Sequence, residues 1–238
     1  MNIAIVGAGR AGTSFAAALG DAGHDVRLLH HDELDAVDDA EVVMLCVPDD
    51  AIAEVAGELE PLSSRVVVHV AGSRGLSEVA RHPRAGFLHP LVVLSSNDVG
   101  ASRLHGALFS VGGDVVVNDL VASLEGRPFR LRDDQRAAYH ATATVAANHL
   151  VALLGHVEIL ADAAGLTFDD FVPLIHQALS DVEERGATRA LTGPASRSDF
   201  ATIDAHLAAI PDSERATYVA LARAAFELAE QRRLTSAP

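Results

Sequence analysis

The chain opens on a short run, Asn2-Ile3-Ala4-Ile5-Val6, that ends at Gly7-Ala8-Gly9-Arg10-Ala11-Gly12, and Thr13 to Ala22 then has helical spacing up to Gly23. A GxGxxG run between a strand and a helix is far more restrictive than the same glycines elsewhere. The first glycine permits the tight turn, the second lets a pyrophosphate approach the backbone, and the third lets helix pack on strand. The helix N-terminus favours the anion. The pattern predicts a Rossmann dinucleotide-binding unit, with Gly7, Ala8, Gly9, Arg10, Ala11 and Gly12 around the cofactor phosphates.

The elements that follow fit an α/β chain. Strands are expected at 26–30, 41–47, 65–70, 87–90 and 107–111, each an apolar run bounded by turn residues. The link from Asp32 to Ala40 leaves room for about one turn of helix. Pro48-Asp49-Asp50 reads as a break and helix cap before Ala51 to Leu59. To residue 132 the pattern is a doubly wound, mostly parallel sheet. From Asp133 onward strand patterns stop, and Ala- and Leu-rich helical stretches are expected at 134–164, 168–184, 199–210 and 213–233. The expected organisation is a Rossmann domain over 1–132 and a smaller all-helical domain over 133–238 for substrate and dimerisation.

Charge and inventory narrow the chemistry. A net charge of -15 opposes binding to a nucleic-acid backbone. The longest unbroken apolar run, Val42 to Val47, is far short of the ~20 residues of a bilayer span, so no membrane partner is expected. The start of the chain has no basic leader, which predicts a cytoplasmic protein. The lone cysteine, Cys46, falls inside that apolar run and reads as a buried core thiol. All 18 basic residues are arginines, so any proton donor must be His, Tyr, Asp, Glu or Cys. The 12 histidines include no pair at metal-ligand spacing, and no metal is expected.

Cofactor choice turns on the end of the second strand, where NAD-binding versions place an acid for the ribose 2′-hydroxyl. His30 and His31 occupy that place, and with Arg10 and Arg27 nearby they favour NADP, while Asp32 and Glu33 leave NAD open. Val47, Pro48 and Asp49, after the third strand, complete the expected cofactor set. Further along, His140, Thr144 and Asn148 recur every four residues and share a helix face, flanked by small alanines. A histidine with two hydrogen-bonding neighbours could protonate and orient a reduced carbonyl, so these three are the candidate catalytic residues. Arg197, after Thr192-Gly193-Pro194, could hold a carboxylate with two hydrogen bonds. Ser73, His69 and His89 stand at strand ends, where open α/β sheets bind ligands; His89, Ser73 and Arg197 are the candidate substrate contacts.

Five motifs in order give a resemblance that spans nearly the whole chain: Gly7 to Gly12, Val47-Pro48-Asp49-Asp50-Ala51-Ile52, His89-Pro90-Leu91, Tyr139 to Leu150, and Leu191 to Asp199. The sequence resembles the superfamily of 6-phosphogluconate dehydrogenase-like, β-hydroxyacid dehydrogenase, ketopantoate reductase and pyrroline-5-carboxylate reductase proteins. It is most similar to a bacterial branch in which a Rossmann-like domain precedes a helical domain of unknown function. The resemblance implies an NADP-dependent oxidoreductase acting on a small 2-oxo acid, ketopantoate among them, and working as a homodimer. Pyrroline-5-carboxylate or imine reduction is the alternative within the fold. A dinucleotide-binding sensor without turnover is the alternative outside enzymes. Ketopantoate reductases carry a lysine and two asparagines at the steps held here by His140, Thr144 and Asn148, so only the last is kept and His140 would be the acid.

Overall fold

The computed structural model describes residues 1–94 and 97–235. Its first half is one sheet of seven strands in the order β2-β1-β3-β4-β5-β6-β7. The strands are β1 (Asn2–Val6), β2 (Asp25–Leu29), β3 (Val42–Leu45), β4 (Val66–His69), β5 (Ala85–Pro90), β6 (Leu108–Gly113) and β7 (Arg127–Phe129). All neighbours pair in parallel except β5 with β6. This is the predicted doubly wound, mostly parallel α/β sheet.

Alternation along each strand builds two cores, one per face. Ile3 and Ile5 point to a layer with α1 (Arg10–Asp21), α3 (Asn97–Leu104) and α4 (Val116–Ser123), around Phe15, Leu104, Phe109 and Leu120. Ala4 and Val6 point the other way, to α2 (Ile52–Glu58) and Val37 and Val79. Those last two belong to single 3-10 turns, Leu34–Val37 and Leu76–Val79. The first of them fills the trimmed 32–40 link as its length requires. Because both faces are covered, the central strands β3 and β4 are buried at every position.

Several elements have no counterpart in the sequence reading, among them α3, α4 and β7. α4 and β7 occupy 116–129, and β7 is only three residues, Arg-Pro-Phe, on the sheet edge, where a proline costs no ladder bond. The expected Asp49-Asp50 cap is also corrected: α2 starts after Ala51 with no side-chain cap, and the Asp49 carboxylate is instead taken by the Ser73 hydroxyl.

The rest is helical: α5 (Asp133–Thr144), a π-helical turn at Val145–His149, α6 (Leu150–Ala163), α7 (Phe168–Arg185), α8 (Ala187–Ala190), α9 (Gly193–Ser196), α10 (Phe200–Ala209) and α11 (Arg215–Thr235). Local chemistry fixes their starts. Thr167 and Asp170 cap α7 reciprocally, and Asp199 accepts the Thr202 N–H at 3.1 Å at the start of α10. By compactness the chain divides into Met1–Ala147 and Asn148–Pro238. All of α5 thus belongs with the sheet. The helix Asp133–Ala163 is long and apolar enough to span a bilayer by length and composition, at mean hydropathy 1.4 over its best window. His140, Thr144, Asn148, His156 and Glu158 interrupt its apolar surface.

Candidate functional site

The glycine turn is locked by backbone approach. Gly7 has φ +108°, and a Cβ there would stand 2.5 Å from the carbonyl oxygen of Cys46. A Cβ on Gly12 would lie 1.8 Å from the Gly7 carbonyl oxygen. Neither position accepts a side chain. Gly9 differs, since a Cβ there meets nothing within 4 Å. Two glycines therefore close the turn, and the third leaves its outer side open at the N-terminus of α1.

A cleft of about 500 Å³ adjoins the turn, lined among others by Gly7, Gly9, His31, Asp32, Val47 and Pro48. Ala8, Arg10, Ala11 and Gly12 form the turn and first helical residues beside it. His30 is exposed just past β2, and its N–H donates to the Glu33 carboxylate at 2.7 Å. The cleft wall thus holds both an imidazole and a carboxylate. Arg27 is a correction: its guanidinium is paired with Asp39, which holds that carboxyl below its ordinary range, so the charge is committed within the sheet edge. Cys46 behaves as expected, because burial pushes its thiol far above the ordinary range. The interlocked Gly7 and Gly12 with open space over Gly9 fit a dinucleotide pyrophosphate. A side chain at either closed position would spoil the turn.

A second group of residues gathers where β4 and β5 end and α5 begins. His69, fully buried, places Nε2 3.0 Å from the Gly75 carbonyl and accepts the Ala71 N–H on Nδ1 at 3.3 Å. A carbonyl can only accept, so Nε2 carries the proton and the ring is neutral, in line with burial lowering its pKa. Both nitrogens are used, and the ring stacks on Phe87 at 5.7 Å. His69 is therefore a framework residue.

His89 is more open. Its Nδ1 is 3.0 Å from the Tyr139 hydroxyl and the two rings meet edge to face. Burial, followed by the nearby His140, pushes His89 down to about 4 against the pull of Asp49. Arg136, one turn before His140, lies over the Phe87 ring at 4.3 Å to its centroid. Its Nε and Nη1 are buried without a hydrogen-bond partner, and the nearest carboxylate oxygen, on Asp133, is 3.6 Å from Nη2. Burial raises the Tyr139 phenol while the Arg136 charge opposes that rise.

The predicted site residues are thus partly assembled. Ser73 and Asp49 are bonded to each other, and His89 and His140 interact at short enough range for charge to matter. Thr144 does not offer its proton to a ligand, because Oγ1 donates to the His140 carbonyl at 2.9 Å. The π turn at Val145–His149 breaks the four-residue spacing that would have put Asn148 in line with His140 and Thr144. Asn148 and Arg197 belong to the second unit, where Arg197 follows α9. Tyr139 and Arg136 stand in this cluster although the sequence marks neither as a candidate for catalysis or binding. Arg136 extends the series 140, 144, 148 one step backward, which was the available clue. Among the described residues no group of three His, Cys, Asp or Glu could hold a metal ion.

Residues 112–225 match the family described as a domain of unknown function (DUF2520). No curated protein matches the sequence. Among solved structures, a Bacteroides fragilis protein assigned as an NADP oxidoreductase is similar at TM-score 0.80 and 24% identity, covering 94% of this chain and 97% of its own. An Aspergillus terreus reductive aminase in complex with NADPH4, cyclohexanone and allyl amine is similar at TM-score 0.69 and 18% identity, with 97% and 94% covered. A Plasmodium falciparum pyrroline carboxylate reductase with NADP bound is similar at TM-score 0.60 and 12% identity, with 98% of each chain covered. These likenesses extend over both units and establish the fold.

Proposed function

We propose that this chain is an NADP-dependent reductase of a small 2-oxo acid, with 2-dehydropantoate the first compound to test. The observation that carries the reading is the closed Gly7–Gly12 turn with open space over Gly9, next to a group of ionisable side chains at the ends of β4 and β5. Gly7, Gly9, Arg10 and the N-terminus of α1 would hold the pyrophosphate, with His31, Val47 and Pro48 along the cleft. NADP is favoured because no acid stands at His30 and because two of the similar structures were solved with NADP or a reduced form of it. When bound, the reduced cofactor supplies a hydride to an electrophilic carbon. The chain must supply the proton, and with no lysine in it the candidates carried forward are His140 and Tyr139, both on α5.

A second reading, reduction of a cyclic or linear imine acid such as pyrroline-5-carboxylate, is favoured by the similarity to pyrroline carboxylate reductase and reductive aminase. Following NADPH and NADH absorbance with ketopantoate, pyrroline-5-carboxylate, and short 2-oxo acids with and without amines separates them. Oxidation of NADPH faster than NADH with ketopantoate supports the first reading. Oxidation only with imines moves the assignment to the second. Tight NADPH binding with no oxidation by any compound would leave a cofactor sensor. A homodimer belongs to the same proposal, since Val151, Leu174 and Phe200 are 69%, 60% and 62% exposed on the helical unit. Val151→Glu is expected to halve the sedimenting mass without unfolding the chain; an unchanged mass would remove this contact.

A further inference from the structure

We propose that Tyr139 is the proton donor of this reaction and that His89 and Arg136 are the residues that position it; the assignment rests on the reductase reading. The step balances as follows. The substrate carbon gains a hydride, with its electron pair, from the reduced nicotinamide cofactor. The C=O or C=N π pair moves to the heteroatom, and the Tyr139 O–H bond breaks as its proton joins that atom. Water later returns a proton to the phenolate.

Three observations support the assignment. The first is the 3.0 Å contact between Tyr139 Oη and His89 Nδ1. A neutral imidazole carries one N–H, and if Nδ1 holds it, His89 donates to the phenolic oxygen. The phenol proton is then free for another acceptor, and the phenolate keeps a donor once it has left. The His89 ring is well placed to hold this pose, because it lies on Gly72, where a Cβ would be 2.7 Å from Nε2.

The second is Arg136, which is only 5% exposed although two of its nitrogens have no partner. A buried, underpaired cation is costly and persists where its field is used. Its charge reaches His69, His89 and Tyr139. On the histidines it disfavours protonation, and on Tyr139 it favours the phenolate. One guanidinium thus adds to the burial that keeps His89 neutral and stabilises the charge that proton transfer leaves behind. Arg136 and Tyr139 are three residues apart on α5, so the helix fixes their spacing.

The third is the comparison with His140. No hydrogen bond holds the His140 ring among the described residues, whereas Tyr139 is held by His89 from β5 and packs on Phe129 from β7 at 5.6 Å. A donor that must meet a reacting atom benefits from being held.

The chain has two tyrosines and no tryptophan, which makes the test direct. In a Tyr218→Phe background, ultraviolet titration of the full chain without cofactor or substrate reports Tyr139 alone. Arg136→Met is expected to move its midpoint up by about one pH unit or more, by removing the cation that favours phenolate. Arg136→Lys keeps the charge and should leave the midpoint within a few tenths of a unit. With the compound that responds best, Tyr139→Phe is expected to lower kcat by about 10²-fold or more while NADPH affinity stays within twofold. Tyr218→Phe should leave kcat unchanged, and His140→Gln should cost less than tenfold. Turnover within threefold of normal in Tyr139→Phe, or a midpoint indifferent to Arg136→Met in a folded variant, would overturn the proposal. Failure of the reductase reading shows separately, as no NADPH oxidation by the unaltered protein with any compound.

Discussion

Each unit holds one histidine and tyrosine in the same pose, and the surroundings differ completely. His89 and Tyr139 meet edge to face at 5.7 Å and 90°, and His206 and Tyr218 do so at 5.8 Å and 90°. The first pair packs on Phe129 and feels the charge of an almost buried arginine, and burial governs its protonation. The second has an exposed histidine on the surface of the helical unit. The wider molecule repeats the contrast. Strands β1, β3 and β4 bury nearly every side chain, whereas among the described residues of the second unit the buried apolar side chains are Ala161, Ala195, Ile203 and Ala229. One unit is fixed by its own interior, and the other leaves Leu174 and Phe200 exposed. Geometry alone does not make a site; the dielectric and the nearby charge do.

Substitutions can break that contrast, and the largest effect is expected at Gly12. Gly12→Ala forces a methyl onto the Gly7 carbonyl, so NADPH binding, followed by calorimetry, should be lost, with roughly 1–3 kcal/mol of stability. Retained binding would show that the turn can relax. Next, Leu88→Ala, at a fully buried position of β5, should cost about 2–5 kcal/mol in denaturant unfolding. Leu174→Ala, at an exposed one, should stay within about 0.5 kcal/mol for the monomer. Comparable losses at the two sites would erase the distinction between the units.

The third effect is one of pH. His89 falls from its ordinary 6.5 to about 4 in the folded chain, so between those values the unfolded chain binds more protons. Stability should therefore fall as pH drops through that window, by at most roughly 3 kcal/mol from this group. His69 adds in the same direction. Urea unfolding at pH 7 and pH 4.5 should show a smaller difference in His89→Gln than in the unaltered chain; an equal difference would place the titration elsewhere. The smallest effect belongs to the helical unit, where Gly155→Ala in α6 meets nothing within 4 Å and should stabilise by about 1 kcal/mol.

What the sequence disclosed follows from the range of each interaction. The turn from Gly7 to Gly12, the apolar run of β1 and the burial of Cys46 are local, and they are visible in the residues themselves. β7 is invisible because three residues including Pro128 show no period, and the strand exists only because β6 offers it an edge. The π turn is equally hidden, since counting by fours assumes the helix it interrupts. Asp49 looked like a cap because caps are local, but its partner, Ser73, lies 24 residues away. The link from His89 to Tyr139 crosses 50 residues and depends on where the sheet delivers β5. The spacing of His140 marks it in the sequence, while Arg136, one step earlier in the series, carries no such mark because arginine more often faces water.

The strand order has a consequence for how the chain comes off the ribosome. From β4 to β7 every strand pairs with the one made just before it, and only β1 must wait for β3, when Ile3 finds Val42. Both halves of the core are complete by β7, before most of the helical residues have been synthesised. The glycine cradle can therefore close during translation. The helices that follow, with little interior of their own, are made after the sheet is complete.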